Sequence, residues 1–64
     1  MSKFTITIET DNAAFEEHPL IEVSRILHEQ ADKLKYNWDC PTWSDSLRDI
    51  NGNKVGKAEL HVDN

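Results

Sequence analysis

Cysteine is almost absent from this chain: Cys40 stands alone among 64 residues. One cysteine makes neither an internal disulfide nor a cysteine-rich zinc site, so two common staples of very small domains are excluded. Glycine and proline are scarce, with two of each, so each should mark a particular turn or boundary. Long apolar runs are missing, and nothing approaches the roughly 20 residues that span a bilayer. The opening MSKFTITIET alternates apolar and polar residues and has no apolar stretch of the kind found in secretory leaders. These absences lead to the expectation of a cytoplasmic protein. Basic residues are also short, seven against twelve acids, for a net charge of −5. The shortage is local. Residues 4–24 contain Glu9, Asp11, Glu16, Glu17 and Glu22 and no Lys or Arg, whereas residues 25–64 hold seven acids and six bases. A one-signed acidic region disfavours nucleic acid and anionic membranes as direct partners and favours a protein with a basic surface.

Length sets a further limit. A chain of this size is one domain, residues 1–64, and buries only about 60% of the surface that its unfolded form exposes. It has little room for a catalytic cleft of roughly 300 Å³. An enzyme is therefore not expected, and neither is a bound cofactor.

The residues present read as β-α-β-β. Residues 3–10 form a strand, with Phe4, Ile6 and Ile8 on one face and Thr5, Thr7 and Glu9 on the other. Residues 11–18 form a connection in which Asp11 caps a short helical turn and Phe15 folds back onto the core. Residues 19–36 form the one long helix, opened by Pro19 at its first position. Leu20, Val23, Leu27, Ala31 and Leu34 make its apolar stripe, widened by Ile26. Glu22, Arg25, Glu29 and Lys33 occupy the opposite face, with Arg25–Glu29 and Glu29–Lys33 as i, i+4 pairs. Asn37 is expected to end the helix in the left-handed conformation. Residues 37–45 are a loop broken by Pro41. A hairpin follows over 46–62, with strands at about 46–50 and 53–62 joined by Asn51-Gly52. Val55 has the wrong parity for the face of Ala58, Leu60 and Val62, and a bulge beside Gly56 restores it to the core side. Asp49 and Lys54 are placed to pair across the turn.

The expected architecture is α+β: a three-stranded sheet with one helix packed on one face. Its expected core is Phe4, Ile6, Ile8, Leu20, Val23, Leu27, Leu34, Leu60 and Val62. Whether the first strand joins the hairpin parallel or antiparallel is left open. Nothing specifies an oligomer, and a monomer is the working expectation.

His18, His28 and His61 have no ligand spacing, so no metal site is expected. Cys40 lies beside Asp39, whose charge disfavours a thiolate, so it reads as an inert, partly buried thiol and not a nucleophile. The candidate interaction residues are the five acids Glu9, Asp11, Glu16, Glu17 and Glu22, together with Trp38 and Trp43. Clustered carboxylates can take the place of phosphates before Lys and Arg. Tryptophan is enriched at the energetic centres of interfaces. The two tryptophans read first as cover for an otherwise open flank of the core, and alternatively one is an exposed anchor; the two readings combine with Trp38 buried and Trp43 outside.

The strand Phe4–Thr10, the connection Thr10–Phe15 and the run Ser46–Gly56 (SLRDINGNKVG) together resemble a family of very small proteins encoded by phages and mobile elements. Some small acidic proteins of this kind are anti-CRISPR proteins that bind a type I effector complex and stop it engaging DNA. The resemblance implies an inhibitor working in the cytoplasm of an infected bacterium, with the acids acting as a nucleic-acid decoy. The alternatives are a phage accessory protein directed at another host protein, such as a transcription or restriction component, and a non-catalytic enzyme subunit.

Overall fold

A computed structural model describes residues 2–62. The elements run β1 (Lys3–Ile8), a 3-10 turn (Ala13–Phe15), α1 (Pro19–Tyr36), β2 (Trp43–Arg48) and β3 (Lys54–His61). The fold is α+β in the order β-α-β-β, and the long helix has the bounds its periodicity predicts. The sheet is antiparallel throughout, in the order β1-β3-β2. The question left open for the first strand is thereby answered. The C-terminal strand lies in the centre, with Phe4 opposite Leu60 and Ile6 opposite Ala58 on one side, and Trp43 opposite Leu60 and Asp45 opposite Ala58 on the other.

Both ends of β2 move, from the expected 46–50 to Trp43–Arg48. β2 begins at Trp43, so residues 43–45 leave the expected loop and join the sheet. In this strand Trp43, Asp45 and Leu47 share one face while Ser44 and Ser46 take the other; the polar Asp45 on the inner face hides the alternation. Pro41 falls just before the strand, where its missing N–H removes no ladder bond. The bulge at Val55 is present. Leu47 pairs with Gly56 and Arg48 with Lys54, which leaves Val55 as the extra residue, and its side chain is buried. The turn is closed by Gly52 at φ +85°, the left-handed region that glycine enters without strain.

The helix packs in a different rotation from the one its apolar stripe suggests. It lies chiefly over β2 and the 3-10 turn. The residues it buries are Glu22, Ile26 and Gln30, and the Leu20–Leu27–Ala31 stripe stands roughly 120° round the axis. Ile26 is the anchor, joined in the core by Phe15, Leu47, Val55 and Ala58. Two polar residues flank it because partners meet them. Gln30 donates to Asp45 Oδ2 (2.9 Å) and accepts from Trp43 Nε1 (2.7 Å), and Glu22 accepts from Ile50 N (2.8 Å). A buried polar group so satisfied avoids the cost of lost hydration.

The expected core is corrected accordingly. Phe4, Ile6, Leu20, Leu27 and Val62 are exposed, Leu20 to 80%. Leu34 and Leu60 are half-buried. Ile8 and Val23 pack partly against the core, and Phe15 closes it as expected.

Candidate interaction surface

The 3-10 turn follows β1 closely and delivers the chain to the helix start, so the acids of residues 9–17 gather at one end of the molecule. The β2–β3 turn belongs to the same end. Asp49, 4% exposed, ties them together. Its carboxylate accepts from Asn51 N and Asn53 N (both 2.9 Å), from Asn53 Nδ2, and from Asn12 Nδ2 (2.7 Å) across 37 residues. Asp49 therefore organises its own turn in place of the expected pair with Lys54. Desolvation raises its pKa, but the hydrogen bonds from Asn53, Asn51 and Asn12 outweigh it and hold the carboxyl below its ordinary value. Asn12, and not Asp11, stands at the head of the 3-10 turn, and no side chain caps it.

Four of the five candidate acids, Glu9, Asp11, Glu16 and Glu17, are exposed at this end. Glu22 is not among them. It is 6% exposed and forms a two-pronged ion pair with Arg25, Nε to Oε1 at 2.7 Å and Nη2 to Oε2 at 3.0 Å. Arg25 is the main cause of the lowered pKa of Glu22, working against desolvation and assisted by Ile50 N–H. Its helical position read as outward because a carboxylate seldom packs inward unless paired, and the partner that allows it comes from the next turn. Arg25 is also held by Glu29, so the first base after the acid-only stretch is already neutralised. Arg48 and Lys54 accompany the turn at this end. Arg48 Nη1 donates to Gly52 O.

The tryptophans exchange their expected places. Trp43 is half-buried, packed against the core and hydrogen-bonded to Gln30. Trp38 is 83% exposed beyond the helix end, near the equally bare Tyr36. Asn37 ends the helix without the left-handed conformation, at φ −119°, and its Nδ2 donates to Lys33 O (2.8 Å). Cys40 is exposed, not partly buried. The anchor position suited to an interface is thus Trp38, at the end opposite the acids.

Two flanks of the helix differ sharply. On one, Glu29 and Lys33 overhang β2 and form a polar groove with Ser44, Asp45 and Ser46. Lys33 pairs there with Asp45 (3.0 Å), not with Glu29. Burial works to raise the pKa of Asp45, but Gln30 and Lys33 hold it down, so it stays ionised. On the other flank, which therefore faces the β1 side, Val23, Leu27 and Ala31 form an apolar wall. On the sheet, Phe4 and Ile6 of β1, opposite Leu60 and Ala58, are 44% and 37% exposed. Among the described residues no group of His, Cys, Asp or Glu is arranged to hold a metal ion, and no helix is long and apolar enough to cross a membrane. No family model, no curated protein and no solved structure matches the chain.

Proposed function

We propose that the protein is a non-catalytic inhibitor that covers a basic surface of a nucleic-acid-handling complex with its acidic end. The observation that carries this reading is the exposure of Glu9, Asp11, Glu16 and Glu17 at one end, within a stretch that contains no Lys or Arg. Four exposed carboxylates before a Lys/Arg groove compete for the sites that phosphates would occupy. The resemblance of the Ser46–Gly56 hairpin and of the Phe4–Phe15 segment to small phage proteins supports a type I CRISPR effector as the candidate partner, since such complexes hold their nucleic acid in positively charged channels. The polar groove lends no support to catalysis: its central carboxylate, Asp45, is fixed by Gln30 and Lys33.

The test is association kinetics with a purified type I effector complex at several salt concentrations, with target DNA binding as the readout. An electrostatically steered on-rate falls as salt rises, because exposed charges are screened within about 8 Å at physiological ionic strength. The double reversal Glu16→Lys/Glu17→Lys is expected to slow association and weaken inhibition without loss of fold. Trp38 lies at the opposite end, past the helix terminus, so Trp38→Ala is expected to leave the on-rate and its salt dependence unchanged. A salt-independent on-rate with an undiminished Glu16/Glu17 reversal would remove the decoy mechanism. No binding to the effector would redirect the search to another host protein.

A further inference from the structure

β1 and β2 are the two edges of the sheet, and they are guarded very differently. β2 carries Asp45 and Arg48, Lys33 reaches over it, and Arg25 Nη2 donates to the Arg48 carbonyl. Between Phe4 and Ile8, β1 has no charge and no proline. Alternating Thr and Ile favour extended pairing, and an unguarded edge of this kind is a template for another strand. Its free hydrogen-bonding groups can be identified. Glu9 N donates to Val55 O (2.7 Å) in the same register that sets Ile8 opposite Gly56. Antiparallel ladders alternate, so Lys3, Thr5, Thr7 and Glu9 address β3, while Phe4, Ile6 and Ile8 turn their N–H and C=O groups to the open side.

We propose that the chain forms a two-fold dimer, in place of the expected monomer, by antiparallel pairing of β1 with β1 of a second copy, centred on Ile6. The sequence K-F-T-I-T-I-E is complementary to itself about that residue. Ile6 meets Ile6, Phe4 meets Ile8, Thr5 meets Thr7, and Lys3 meets Glu9 at both ends. The pairs that must exchange hydrogen bonds in this register, Ile6 with Ile6 and Phe4 with Ile8, are the ones whose N–H and C=O face the open side. Opposed residues share a face, so Phe4, Ile6 and Ile8 of both copies make one apolar floor. The apolar helix flanks then look towards each other across it. A chain whose described core is five buried apolar residues, and which leaves Phe4, Ile6 and Leu27 bare, gains the cover that small domains often obtain by association.

Sedimentation of the intact chain over a range of concentrations tests this, together with amide exchange read by NMR. The expected result is a reversible dimer, with the outward amides of Phe4, Ile6 and Ile8 protected as it forms. Lys3→Glu places two carboxylates opposite one another at both ends and is expected to raise the dimer dissociation constant about tenfold or more. Glu9→Lys does the same with two ammonium groups, and Lys3→Glu/Glu9→Lys restores pairing. Both positions are exposed, so the monomer fold is retained. A chain monomeric at every concentration would overturn the proposal, including one that accepts an extended foreign peptide at β1. So would a dimer indifferent to the single reversals, one that the double reversal fails to restore, or one in which the three amides stay unprotected.

Discussion

At the scale of single residues, the two glycines and one aspartate set the geometry that larger elements inherit. A Cβ built on Gly56 would lie 1.8 Å from the Thr7 carbonyl oxygen, a backbone atom that cannot swing away. β3 passes this close to β1 where Gly56 stands opposite Ile8, beside the bulge that Val55 makes against β2, and only glycine fits there. Gly56→Ala should therefore cost about 1–3 kcal/mol, as overpacking does, measured by chemical denaturation. Stability equal to the wild type would mean that the strands are not in this register. Gly52 has open space around it, and its positive φ alone resists a side chain. Both glycines were legible, since Asn51-Gly52 signals a hairpin and the parity of Val55 signals a bulge. The role of Asn12 was not: it reads as a turn former, and its bond to Asp49 spans 37 residues, a distance over which sequence pattern carries no information.

At the scale of elements, the helix shows where periodicity stops being informative. Its length and Pro19 start follow from sequence, but its rotation does not. The apolar stripe reports which face avoids water, and avoidance can be met by the protein's own core or by another surface. Here the inner face is set by what β2 and the β2–β3 turn offer: Trp43, Asp45 and the Ile50 N–H each satisfy Gln30 or Glu22. Ile26→Ala should consequently cost about 2–5 kcal/mol, the range for a buried aliphatic truncation, while Leu20→Ala should stay within about 0.5 kcal/mol, as exposed sites do. Thermal and denaturant unfolding of the two variants decide the matter. The reverse order would restore the rotation that the stripe suggests. β2 was misread at its start for the same reason, because Asp45 occupies an inward position that alternation assigns to an apolar residue.

At the scale of the whole molecule, acid should be the condition that undoes the fold. The carboxyls of Glu22, Asp45 and Asp49 all have pKa values below their ordinary ones, held there by Arg25, by Gln30 and Lys33, and by the asparagine and backbone donors of the turn, against desolvation. A group with a depressed folded pKa binds protons more readily when unfolded. Its stabilisation is complete above the unfolded values, about 3.9 for Asp and 4.3 for Glu, and is lost as pH falls through the folded ones. The melting temperature should be nearly level from neutral pH to about 5 and should fall steeply below about 4. Asp49→Asn should flatten that decline while lowering stability at neutral pH. A melting temperature unchanged down to pH 2 would show that these three carboxylates are not coupled to folding.

The separation of the two tryptophans also makes the chain its own optical reporter. Trp38, in water beyond the helix end, and Trp43, against the core with its indole N–H on Gln30, form two emitters in different media. Unfolding should leave the first unchanged and shift the second towards the red, so the spectral change on denaturation belongs to Trp43. A soluble quencher should reach Trp38 at once and Trp43 only after the core opens. A ligand that settles at the far end of the helix should shield Trp38 while Trp43 holds its colour. Trp38→Phe and Trp43→Phe separate the two signals, and fold and contact can then be followed in the same sample without an added label.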